Sequence, residues 1–217
     1  MGNGMSGSSR DLNGSGGRNV NVVSEMDVWS YRHNANNAPF VDSINDSIRT
    51  MQNDFPDMMQ DINSVNAAKL GGRDNNGTLG FYTPATKELS MNQNFTDIDK
   101  MNAVMGQERG FHPPRGSKNG VEAVTLHEAG HALTDSLAKK IGAADIDDSA
   151  KRIVQAAYKA TGARGGTKKW AGGISGYAQH SYAECVAEAV ADWYCNGSKA
   201  AKQSKAIMTE MKRIQAL

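Results

Sequence analysis

Thr125-Leu126-His127-Glu128-Ala129-Gly130-His131-Ala132-Leu133 holds two histidines four residues apart, with a glutamate directly after the first. On a helix, residues i and i+4 face the same way, so the two imidazoles can share one metal ion and the glutamate lies beside whatever that ion holds. Zinc takes nitrogen ligands in a tetrahedral array, and a catalytic zinc site keeps one position for a water whose pKa the metal pulls towards neutrality. The chemistry indicated is hydrolysis by metal-activated water, with Glu128 as the general base. A solvated helix carrying two chance histidines is the competing interpretation. Val121, Val124, Leu126 and Leu133 around the motif weigh against it, because they mark a helix packed into a core.

Two histidines leave zinc short of a protein ligand. A metzincin would place glycine and a third histidine at positions 134 and 137, which here are Thr134 and Leu137, so that arrangement is excluded. The remaining candidates lie between Gly172 and Tyr194. Ser181 is placed to cap a helix running to about Cys195, before Asn196-Gly197 ends it. Its apolar stripe is Tyr182, Val186, Val190 and Trp193. Glu184 and Glu188 fall on nearly the opposite side with Ala187, Ala191 and Cys195, and no lysine or arginine is among them. Small residues beside two acids predict the close approach of another helix, the histidine helix being the obvious one. Glu184 would then ligate the metal, and Glu188, one turn on, would accept a hydrogen bond from the second nitrogen of a ligand histidine. Two other readings stand beside this. Ser181-x-x-Glu184 is also a capping box, in which the carboxylate reaches back to the helix start. Glu188 with Asp192 behind it repeats the acid pair one turn later.

The run Ser175-Gly176-Tyr177, followed by Glu184 and by Ala187-Glu188-Ala189, resembles the corresponding segment of the anthrax lethal factor type of zinc metallopeptidase and of related peptidase domains in phage and mobile-element proteins. The resemblance spans residues 38 to 195 loosely and is specific only in the two motif segments. It implies that Glu184 is the third zinc ligand, that Glu188 supports a ligand histidine, and that Tyr177, seven residues before Glu184, stabilises the transition state. The fold it implies is an α+β, zincin-like (gluzincin-like) metallopeptidase domain with a small sheet, the HExxH active-site helix and a following glutamate-bearing helix. The implied activity is that of a zinc-dependent endopeptidase acting on a protein or peptide. Two alternatives are a zinc-binding component of a phage particle or assembly with little or no hydrolysis, and a zinc hydrolase of non-peptide amides or esters. The sequence departs from the pattern at His180 and Ser181, where such proteins often carry other polar residues. It also departs at Ala183-Glu184 with Glu188, where thermolysin-like enzymes have Asn-Glu-x-x-x-Asp.

The elements that must position these groups are legible to different degrees. At 217 residues the chain can bury one good core. Residues 1–19 are rich in glycine and serine with almost nothing to bury, which predicts a flexible tail before a single catalytic domain over 20–217. The opening Met-Gly-Asn-Gly-Met-Ser fits an N-myristoylation pattern, but no basic cluster follows to supply a second membrane signal. Helical spacing runs from Pro39 through Phe40, Val41, Ile44, Ile48 and Met51 to Pro56. A short strand is expected around Ile62 and Val65, closed by Gly71-Gly72. A hairpin is expected from Leu79–Thr83 and Lys87–Met91 around Pro84-Ala85-Thr86, and its sheet edge could hold an extended peptide. Residues 106–120 form a turn-rich loop ahead of the helix of about Val121 to Lys139, and its His112 reads as a surface histidine rather than one lining the cleft, the alternative that stays open. Asp147 or Asp148 is expected to cap a further helix ending at Gly162, and 198–217 reads as a helix with a basic outer side. His180 is a candidate for the cleft wall, and His33 carries no assignment.

Net charge is +1, from 24 basic and 23 acidic residues, so no global field recruits nucleic acid or an anionic membrane. Lys168-Lys169-Trp170 is too short to make a nucleic-acid groove. No apolar run reaches the length of a membrane span and no secretion signal opens the chain. Cys185 and Cys195 lie ten apart on one expected helix, too far to bridge, which suits reduced thiols. The expected location is the cytoplasm, or delivery from a phage or mobile-element context without a signal peptide.

Overall fold

The computed structural model describes residues 38–68, 70, 78–107 and 109–217. The expected tail over 1–19, His33 and the Gly71-Gly72 strand end lie outside the described residues. The architecture is α+β. Helix α1 (Ala38–Asp54) leads through a 3-10 turn (Pro56–Asp61) into strand β1 (Ser64–Ala68). The hairpin β2 (Gly80–Thr83) and β3 (Glu88–Asn92) follows, then α2 (Ile98–Met105), α3 (Gly120–Lys140) and α4 (Ile146–Ala160). The short α5 (Thr167–Ala171), then α6 (Tyr182–Asn196) and α7 (Lys202–Gln215) complete it. The sheet has the order β1-β3-β2, with β1 parallel and β2 antiparallel to β3, so among the described residues β2 is an edge strand. Among the described residues no helix is long and apolar enough to cross a membrane.

The chain's local chemistry accounts for the ends of these elements. Phe40, Val41, Ile44, Ile48 and Met51 are buried along one face of α1, and Pro56 stops it. At the start of α3, Asn119 Oδ1 accepts from the Glu122 amide at 3.0 Å and Glu122 Oε2 accepts from the Asn119 amide at 2.8 Å, a reciprocal capping box. Asn102 Oδ1 takes the neighbouring Gly120 amide at 2.7 Å and so ties α2 to that end. Lys139 and Lys140 sit in the last turn, where cations suit the helix dipole. The cap of α4 is Asp145, not Asp147 or Asp148. Asp145 Oδ1 accepts from the Asp148 amide at 2.8 Å, and because Ile146 already opens the helix, the two later acids fall in its first turn. Helix α7 has no side-chain cap of its own. Asp192 of α6 supplies one, with Oδ2 accepting from the Ala201 amide at 2.8 Å and from Ser204 Oγ at 2.6 Å.

Helix α3 is the centre of the molecule, touching α1, α2, α4, α6 and α7 as well as β2 and β3. Val121, Leu126, Leu133 and Leu137 are fully buried in it. Trp170 of the short basic stretch turns into the same core. The hairpin is clamped to the far half of α3, where Tyr82 Oη donates to Asp135 Oδ2 at 2.8 Å and Lys87 Nζ pairs with the same carboxylate. Helices α3 and α6 meet at Gly130, whose absent side chain matters: a Cβ there would lie 3.0 Å from Ala187 Cα and 3.2 Å from Val190 Cβ. Gly130→Val therefore drives branched carbons into the α6 backbone. It is expected to lower unfolding stability by about 2 kcal/mol, read as a reduced urea midpoint at unchanged slope. An unchanged midpoint would mean that the two helices part without cost.

Candidate metal centre

The four-residue spacing on α3 sets the His127 and His131 rings with centroids 5.0 Å apart and planes 80° to each other. Glu184, in the first turn of α6, faces them from the neighbouring helix. Its Oε2 lies 3.1 Å from His127 Nε2 and 3.6 Å from His131 Nε2. One ligand atom from each of the three residues falls within 4.8 Å of the others, close enough to hold a metal ion. Glu184 Oε2 is buried and, although within ion-pair distance of both rings, has no hydrogen-bond partner. A buried carboxylate oxygen is normally satisfied. One that faces two nitrogens without bonding either is what three ligands around a divalent cation look like, and two imidazoles with one carboxylate suit such an ion. The capping box at Ser181 is only half formed: Ser181 Oγ accepts from the Glu184 amide at 3.0 Å, while the Glu184 carboxylate turns to the histidines.

Glu188 lies behind His127 rather than in front of it. Only 1 % exposed, it takes three donors. Its Oε1 is 2.8 Å from His127 Nδ1 and 3.0 Å from His112 Nδ1, and its Oε2 accepts from Ser175 Oγ at 2.6 Å. A carboxylate on Nδ1 fixes the tautomer that leaves Nε2 free to bind a metal. The alternative with Glu188 as ligand and Asp192 behind it is not realised, since Asp192 is occupied in capping α7.

Glu128 is buried against strand β2. A Cβ on Gly80 would sit 2.9 Å from Glu128 Cγ, so glycine in β2 is what lets the carboxyl lie against the strand. Burial pushes the Glu128 pKa up, while His127, His131 and the Tyr82 amide oppose the rise. The Tyr177 ring stacks on His127, with centroids 5.8 Å apart and planes 26° apart. Burial first, then the surrounding glutamates, push its hydroxyl up to about 12. Gly176 and Tyr177 donate their amides to the carbonyls of Gly110 and Phe111 at 2.7 and 2.9 Å, which straps the 106–119 loop to the segment before α6.

Compared with protein-family models, curated proteins and solved structures, the chain matches none. What it does is therefore read from the site itself.

His112 corrects the expectation of a surface histidine. It lines the same cavity as His127, Glu128 and Tyr177 and is tied to Glu188. Ser175 also joins the site unforeseen, its Oγ linking Glu188 to the Ala178 amide at 3.0 Å. One signal was available in the sequence. An acid on a helix face without lysine or arginine needs donors from elsewhere, and both residues stand in the loops that flank the two site helices. His180 is exposed and touches the site through its ring contacts with Tyr177 and Phe111, at 5.0 and 5.9 Å between centroids.

Burial works against a charge on His127, but the Glu184 and Glu188 carboxylates against it and the nearby Glu128 more than offset that, holding its pKa well above the ordinary 6.5. Burial likewise would raise the two acids; the imidazoles outweigh it, keeping Glu184 well below the usual carboxylate range and Glu188 at about 2. In metal-free protein the raised His127 contributes stability that is full below its ordinary 6.5 and is lost as pH rises through its folded value. The two depressed acids contribute stability above their ordinary 4.5, lost as pH falls through their folded values. The raised Glu128 costs stability as pH rises from its ordinary 4.5 through its folded value, which draws the maximum towards the acid end. Thermal melts in chelator should thus peak between about pH 4.5 and about pH 6.5, and saturating metal should move the maximum upward as the ion replaces the proton. A flat profile in chelator across that range and beyond would show that His127 does not carry the charge.

Proposed function

We propose that the chain is a zinc-dependent endopeptidase built on a gluzincin-like arrangement. The observation that carries this reading is the buried, unbonded Glu184 Oε2 facing the Nε2 atoms of His127 and His131, with buried Glu128 beside them. The spacing of Tyr177, Glu184 and Glu188, which resembles that of the lethal factor type, supports it further. Bound there, zinc supplies Lewis acidity, polarising a carbonyl and making water a nucleophile near neutral pH. The chain's own residues divide the remaining work. Glu128, its pKa lifted towards neutrality, accepts the proton of the attacking water and passes it to the leaving amine. Tyr177 stays protonated to about 12, so it can donate to the developing oxyanion, a contribution worth about 3 kcal/mol.

Two features favour a peptide over another amide or ester. Among the described residues strand β2 pairs on one side only and its Gly80 lies against Glu128, so a peptide added to that edge passes over the base. Beside it, a cavity of about 270 Å³ lined by Leu79, Met105, Val124 and Ala191 suits an apolar side chain next to the bond cleaved. A zinc-binding assembly role without hydrolysis leaves buried Glu128 and the Tyr177 stack without use.

Metal content by mass spectrometry and digestion of a peptide library test this together. The wild type should bind one zinc and cleave, and Glu184→Ala should lose the metal, whereas Glu188→Ala should weaken its affinity by about 10- to 100-fold. Glu128→Gln should keep the metal and lose about 10³-fold in turnover. Full zinc in Glu184→Ala would overturn the ligand set, and undiminished turnover in Glu128→Gln would overturn the base.

A further inference from the structure

We propose that His112 positions the peptide, accepting a hydrogen bond from a substrate main-chain N–H through its Nε2. The proposal rests on the endopeptidase reading above. The 1 % exposed Glu188 carboxylate gathers donors, Ser175 Oγ on Oε2 and the two ring nitrogens on Oε1, so the His112 Nδ1 at 3.0 Å from Oε1 is placed as a donor. In the neutral ring the proton then stands on Nδ1 and the lone pair on Nε2, on the side of the ring away from Glu188. Glu188 and His112 line the same cavity, and the His112 side chain remains 25 % exposed while Glu188 is buried, so the ring edge away from Glu188 is the one open to the cleft.

Two aromatic neighbours hold the ring there. Phe111 meets it edge-on at 5.0 Å and Tyr177 at 5.4 Å between centroids. Pro113 and Pro114 follow directly and keep the His112 backbone extended. The two amide bonds from Gly176 and Tyr177 bind this loop to the segment bearing Tyr177, so His112 and Tyr177 are placed as one unit. Glu188 thus orients two imidazoles through one oxygen: His127 towards the metal position and His112 towards the substrate. Satisfying Glu188 alone does not require this, since His127 and Ser175 already give each of its oxygens a donor.

Three variants separate positioning of substrate from support of Glu188. His112→Asn keeps a donor near Nδ1 and loses Nε2, His112→Gln puts an amide near Nε2, and His112→Ala loses both. On a fluorogenic peptide found by library digestion, His112→Asn and His112→Ala should bind zinc as the wild type does. Both should raise KM about tenfold with kcat changed less, and His112→Gln should recover most of the loss. Replacing the contacted peptide N–H by an ester oxygen should cost the wild type a similar factor and His112→Asn nothing more. Wild-type KM in His112→Asn, or loss of zinc from it, overturns the assignment while cleavage by the wild type leaves the endopeptidase reading standing. Absence of cleavage by the zinc-loaded wild type overturns both.

Discussion

The structure depends on how closely α3 and α6 approach. The Cβ that Gly130 lacks would touch the α6 backbone at Ala187, and that contact brings Glu184 within reach of two imidazoles on the other helix. A metal site drawn from two helices tolerates little separation, because ligand distances are fixed by the ion and side chains of Glu length cannot stretch. The small residues of α6 are therefore a requirement of the chemistry as much as of packing.

Close approach also crowds charge. Glu128, Glu184 and Glu188 are all wholly or largely withdrawn from water within one site, and no lysine or arginine of α3 or α6 balances them there. The imbalance is met by imidazoles, and in the absence of an ion His127 takes up the charge. Glu188 tolerates its burial because three donors surround it. Glu184 has no such shell, and a cation is the partner its environment calls for.

Much of this was legible in the sequence, for physical reasons. The i, i+4 histidines and the small face of α6 each repeat with the helix period, so both helices and their meeting follow from spacing. The hairpin followed from alternation around Pro84. What escaped lies in segments without a period. The 106–119 loop is placed by two amide bonds to Gly110 and Phe111 that no residue type announces, and with it His112 was read as a surface group. Ser175 escaped likewise. The short α2 was not foreseen, although Asp97 caps it through the Lys100 amide at 3.0 Å. The alternatives at Glu184 and Glu188 could not be separated by spacing alone. They part in space because the two carboxylates face opposite nitrogens of a single ring.

Asp135 has a wider effect than its one cluster of bonds suggests. By gripping Tyr82 and Lys87 it bolts the hairpin to the helix that carries both histidines, and Gly80 abuts Glu128 on that same helix. The open margin of the sheet and the ligand cage thus share one rigid ruler. A chain laid along that margin is measured from the cage in whole residues, and a slip of one residue would turn every side chain over to the other face.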